Sequence, residues 1–158
     1  MASATEVILS SANAANDTVD GDRYAALLQA AVDVFGRPLE RYVRPTDTPG
    51  LLSPVVIEDH GEANGVLLVL GDRAIVAWET GRFRKTNVEA VIDRSAIRDI
   101  QRERQPETAS RHGFERVTVQ ADKTWRLAFG DHLFDGGKSV VPFLVGYLDG
   151  SITPQFGD

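Results

Sequence analysis

The sequence predicts an α+β fold: seven short antiparallel strands, curled into a barrel or sandwich, closed by a C-terminal helix and preceded by an additional N-terminal helix. Three observations carry this. Apolar or alternating runs recur from Pro54 to Phe129 at short spacing, separated by turn residues such as Asn64-Gly65 and Gly71-Asp72. A capped amphipathic run, Ser139 to Leu148, follows the last of them. A second helical period, Tyr24, Leu27, Leu28, Ala31 and Phe35, precedes the first.

Each element has a local reason. Residues 1–20 are rich in Ala, Ser, Asn, Thr and Asp with little to bury, which predicts a flexible leader in which Val7-Ile8-Leu9 supplies a short edge strand. Residues 21–158 then form a single domain, because a chain of 158 residues with 42% hydrophobic content builds one good core. Asp20 or Asp22 caps a helix at 23–35, and Gly36 and Pro38 stop it. Pro45, Pro49, Gly50 and Pro54 break regular structure, yet the interspersed Leu39, Tyr42, Val43, Leu51 and Leu52 mark an ordered connector. The strands are expected at Val55 to Glu58, Val66 to Leu70, Ala74 to Trp78, Val88 to Ile92, Ala96 to about Arg104, Phe114 to Gln120 and Thr124 to Phe129. Such tight spacing favours antiparallel pairing over a parallel sheet. In the closing helix, Ser139 is the cap, Pro142 falls in the first turn, and Val140, Val141, Phe143, Leu144, Tyr147 and Leu148 form the stripe.

Composition narrows the function classes. The net charge of −6 lies in the first part, since residues 1–64 hold ten acids and four bases whereas 65–158 hold thirteen of each. That balance argues against nucleic acid and against anionic lipid as partners. The absence of cysteine excludes disulfides and thiolate metal sites and fits a cytoplasmic protein. The start lacks the basic flank and apolar run of a signal peptide, and no stretch approaches the roughly 18 apolar residues of a membrane span.

Gly65-Val-Leu-Leu-Val-Leu-Gly-Asp-Arg-Ala-Ile-Val-Ala-Trp78 resembles the paired second and third strands of bacterial pleckstrin-homology-like (PH-like) domains. Ser95-Ala-Ile-Arg-Asp-Ile100 is similar to their fifth-strand segment, and the terminal helix to their capping helix. The resemblance covers about 55–150 and implies a seven-stranded barrel-like sandwich that binds proteins, peptides or sometimes lipid headgroups without enzymatic activity. The helix at 23–35 lies outside that pattern. Lipid-binding members place Lys and Arg between the first two strands; here Asp59, His60 and Glu62 stand there, so phosphoinositide binding is not expected.

The candidate anion or partner patch is Arg82, Phe83, Arg84 and Lys85, in a span (82–116) with nine bases against six acids. A nucleotide loop is suggested by Asp131-His-Leu-Phe-Asp-Gly-Gly-Lys138-Ser139, but His132 occupies the position that needs the first Gly, and the run reads better as a turn. His60, His112 and His132 are far apart in the chain and match no metal motif. No Gly-x-Ser-x-Gly elbow or cysteine nucleophile is present. Trp78 and Trp125 alternate with apolar neighbours and read as core. No cofactor, metal or catalytic residue is therefore expected. The sequence points first to a non-enzymatic module binding a protein or peptide along a sheet edge or beside the closing helix. A helix-flanked α+β adaptor or chaperone-like dimer is second, and a small nucleotide-binding enzyme using the 130–139 loop is third. Deleting residues 1–38 separates the first two, because a PH-like barrel should stay folded without them.

Overall fold

Residues Ala4–Val19 form a helix, α1, where the sequence predicted a flexible leader with an edge strand at Val7-Ile8-Leu9. This computed structural model describes residues 3–19, 21–81, 86–134 and 139–152, with Thr86 and Asn87 described by their backbone alone. The helix forms because Ile8, Ala12, Ala15 and Val19 recur at helical spacing and are all buried. Ser11, fully buried on the same face, donates to the Val7 carbonyl at 2.8 Å and accepts from the Gly50 amide at 3.0 Å. The polar residue is thus the tie between α1 and the connector ahead of the first strand.

Helix α2 spans Asp22–Leu39 and runs past the expected stop at Gly36 and Pro38. Phe35 and Leu39 are buried one turn apart, and that burial outweighs the propensity cost of the two residues between them. Gly21, with extended backbone, occupies the N-cap position expected of Asp20 or Asp22 and offers no side-chain bond.

The strands are β1 (Leu51–Ile57), β2 (Ala63–Val69), β3 (Arg73–Thr80), β4 (Thr86–Asp93), β5 (Asp99–Gln105), β6 (Phe114–Gln120) and β7 (Thr124–Gly130). They make one antiparallel sheet in the order β4-β3-β2-β1-β7-β6-β5. The outer strands, β4 and β5, do not pair with each other, so the sheet is open rather than a closed barrel. Two meanders meet at β1 and β7 over a short register, Val56↔Ala128 and Ile57↔Leu127. Because β7 is absent beside the start of β1, a strand containing Pro54 is tolerated there.

Asn64-Gly65, expected as a hairpin turn, lies inside β2. The reversal occurs earlier, at Glu58–Glu62, where Gly61 (φ 71°) and Glu62 (φ 57°) adopt the left-handed conformation. Gly65 is required for a different reason: a Cβ there would lie 2.1 Å from the Ala77 carbonyl oxygen and 2.7 Å from Ile57 Cδ1.

The register aligns Ser53, Leu67, Val76 and Ala90 in one row and Pro54, Val66, Ala77 and Glu89 in the next. Successive rows face opposite sides of the sheet. In β2 and β3 both rows are buried, so the sheet is covered on both faces. Helix α2 lies over the row of Pro54, while the closing helix α3 (Val141–Asp149) packs against β2 and adds Val141, Leu144 and Leu148 to the same core. Val140, not Ser139, takes the N-cap position of α3 and makes no side-chain cap bond; Ser139, one residue earlier, instead accepts from the Val141 amide at 3.1 Å through its Oγ. Trp78 and Trp125 are buried and meet edge to face with centroids 5.8 Å apart.

Candidate functional site

Beside the short β1–β7 seam, α2 stands away from the sheet and leaves a cleft of two joined lobes. The inner lobe, about 360 Å³, is mostly apolar and lies between Leu27, Ala31 and Val34 of α2 and Pro54 and Val56 of β1, with Asn64 and Glu79 also lining it. The outer lobe, about 300 Å³, is edged by Glu62, Arg111 and His112 and floored by Phe114. Both are lined by Val56, Asn64, Ala128, Gly130 and His132, which makes them one continuous cleft.

The β6–β7 hairpin assembles the outer rim. Its register pairs Phe114 with Gly130. Carried two residues further, the same register sets Gly113 opposite Asp131 and His112 opposite His132. The Asp131 amide donates to the Gly113 carbonyl at 2.9 Å, and the two imidazoles sit with centroids 5.1 Å apart. Two glycines make room. A Cβ at Gly130 would lie 2.5 Å from His132 Cε1, and one at Gly113 would lie 2.5 Å from Asp131 Oδ2. Sequence reasoning left the two histidines in unrelated loops, although the hairpin that joins them was legible.

Charges around the rim come in pairs. Arg111 lies 3.5 Å from Glu62 and stacks on Phe114 at 4.2 Å from the ring centroid. His112 Nδ1 is 3.7 Å from Glu107, and Asp131 is paired with Arg104. Arg23 of α2 donates to the His132 carbonyl at 3.2 Å. His132 is open to solvent along part of its ring, yet the portion over Gly130 is desolvated. This desolvation lowers its pKa from the ordinary histidine value, and the nearby His112 and Arg23 charges act in the same direction against a smaller opposing effect of Asp131. None of the described lining residues is Ser, Thr, Cys, Lys or Tyr, so the cleft supplies contacts and proton-carrying imidazoles without a hydroxyl, thiol or amine nucleophile. Among the described residues no group of three or more His, Asp or Glu is placed to hold a metal ion.

The other sequence-predicted sites fall elsewhere. Arg82, Phe83, Arg84 and Lys85 lie outside the described residues, as do Asp135 to Lys138 of the suggested nucleotide loop. The strand that feeds that loop, β7, is antiparallel to both neighbours, whereas a phosphate loop follows a strand of a parallel sheet. The carboxylates between β1 and β2 are engaged: Glu58 is bidentate with Arg116 at 2.8 and 2.9 Å, and Asp59 accepts from the Arg126 amide and guanidinium, each at 3.0 Å. His60 is stacked on Trp78 with centroids 4.5 Å apart, far from the other two histidines in role. Among the described residues no helix is long and apolar enough to cross a membrane. Comparison with family models, curated proteins and solved structures gave no match for the chain.

Proposed function

We propose that this protein is a non-enzymatic, cytoplasmic interaction module that takes a protein or peptide partner in the cleft between α2 and the β1–β7 seam. One observation carries the reading: two lobes, of about 300 and 360 Å³, join into a continuous cleft with a mostly apolar interior and a polar rim. Val34, at its edge, is 43% exposed and is a ready apolar contact for a partner. The PH-like reading is supported by the seven-strand antiparallel order and by the closing helix on β2. The net charge of −6 and the engaged carboxylates between β1 and β2 favour a protein or peptide over nucleic acid or a phosphoinositide.

The test is affinity capture with the full chain, repeated with Ala30→Trp, which fills the cleft from the exposed side of α2. Loss of the captured partner with an unchanged thermal transition supports the cleft. Retention of the partner by Ala30→Trp and by Val34→Asp, with its loss on changes along the β5 edge, overturns it.

A further inference from the structure

The two lobes of the cleft differ in chemistry, and the difference points to a particular kind of ligand. The inner lobe offers Leu27, Ala31, Val34 and Pro54, and its ionisable lining is Glu79 and the shared His132, so it has an acid but no permanent cation of its own. The outer lobe gathers Arg111, His112 and His132 over the apolar floor of Val56, Phe114 and Ala128. A ligand filling both therefore needs an apolar body and a group that accepts hydrogen bonds from cations.

The rim is arranged to receive a negative charge. Arg111 and Glu62 are both about half exposed, at 47% and 63% of their side chains, so their pair is weak and an incoming carboxylate can take over the guanidinium. Glu107 faces His112, and Asp131 is held by Arg104, which leaves Arg23 as an added positive charge beside His132. An anion between the imidazoles relieves the repulsion among His112, His132 and Arg23 and draws a proton onto a ring that otherwise resists it.

We propose, resting on the cleft being the partner site, that it takes a carboxylate carried on an apolar body, with the carboxylate at Arg111, His112 and His132 and the apolar part between α2 and β1. The occupant we assign is a peptide's C-terminal carboxylate behind an apolar side chain; a free aliphatic acid shares the chemistry and is the alternative that the test separates.

The test is a ¹⁵N-resolved titration of the full chain with octanoate against octanol, and with acetyl-trileucine as free acid against its amide. The acids are expected to shift the Gly113 and Gly130 amides and to bind about tenfold tighter than their neutral counterparts, the size of one charge-assisted contact. Affinity should fall as pH rises through the histidine range, with the His132 ring titrating at higher pH when ligand is bound. Arg111→Ala should lose about tenfold and Arg111→Lys should recover most of it. Binding by the peptide acid supports the chain terminus, whereas binding by octanoate alone keeps the carboxylate contact but overturns the peptide occupant. Equal binding of alcohol, amide and acids at Gly113 and Gly130 keeps the cleft and overturns the carboxylate. Shifts confined to other surfaces overturn both.

Discussion

The hydroxyl of Tyr24 donates to the hydroxyl of Ser53 at 3.0 Å, fastening α2 to β1 at the place where β1 has no second neighbour. Ser53 passes the bond on to the Pro54 carbonyl at 3.0 Å, and the Tyr24 ring is tilted against Phe134 at 5.5 Å. Tyr24→Phe keeps the ring and removes the bond, so a loss of about 1 kcal/mol is expected in urea unfolding. Tyr24→Ala also empties a fully buried site and is expected to cost about 3–5 kcal/mol.

The same residue sets an alkaline limit. Burial pushes the Tyr24 phenol well above its ordinary value, and burial raises Tyr147 in the same direction. An unfolded tyrosine ionises near pH 10. Above about pH 10 the unfolded chain therefore releases protons that the folded chain retains, and stability falls with rising pH. Urea midpoints measured across that range should decline in the parent protein and decline less steeply in Tyr24→Phe.

Arg73 is the buried cation among the described residues, 7% exposed, and it donates to Asp47 at 2.7 and 3.1 Å and to the Tyr42 carbonyl. Arg73→Met leaves Asp47 facing an apolar stem and is expected to cost about 3 kcal/mol. Burial acts to raise the Asp47 pKa, but hydrogen bonds from Arg73 and the Arg44 amide, with the two guanidinium charges, hold it below the ordinary carboxylate value. Its stabilisation is present above the unfolded value, near pH 4, and is lost as pH falls through the lower folded value. Acid titration of Asp47→Asn should show a shallower loss than the parent.

Removing residues 1–38 is expected to leave an insoluble or unfolded remainder, measured by circular dichroism of whatever stays in solution. Tyr24, Leu28 and Phe35 of α2 belong to the same buried cluster as Val66, Leu68, Ile75 and Ala77 of the sheet. Because α2 covers that face whichever role it plays, the sheet would expose it to water without the leading helices, and the deletion therefore no longer separates a PH-like module from a helix-flanked adaptor.

Gly65→Ala is expected to destabilise the fold by roughly 1–3 kcal/mol, because its methyl meets the Ala77 carbonyl at 2.1 Å, where backbone must move. Gly61→Asn, at φ 71° with open space around it, should cost under about 1 kcal/mol. Paired denaturation curves separate the steric glycine from the conformational one.

The elements most legible in the sequence were those where alternation or helical period was strong. β6 and the tip at Ala121-Asp122-Lys123 fall where the pattern set them, whereas α3 begins at Val141, two residues after Ser139, with Val140 as its N-cap. Helix α1 was hidden because half of its six buried residues, Ser11, Ala12 and Ala15, are small and contribute little apolar area between Val7-Ile8 and Val19. Asn64-Gly65 misled for the opposite reason: its turn propensity was real, but Gly65 is demanded by the close approach of Ala77 and Ile57 in the sheet. The cleft could not be read from the chain, since it depends on how far α2 stands from β1 and β7, a distance set by packing. Its histidine rim was within reach, because the β6–β7 register already aligned His112 with His132.

The junction at Val56↔Ala128 and Ile57↔Leu127 divides the sheet into two ribbons that share few backbone bonds. Amides there should exchange with deuterium through partial opening, before those inside the β2–β3 ladder, because separating the ribbons breaks less than unfolding either one. Val56 and Ala128 also floor the cleft. A guest lodged above them would staple the ribbons together, so occupancy should be readable as slower exchange along the whole junction.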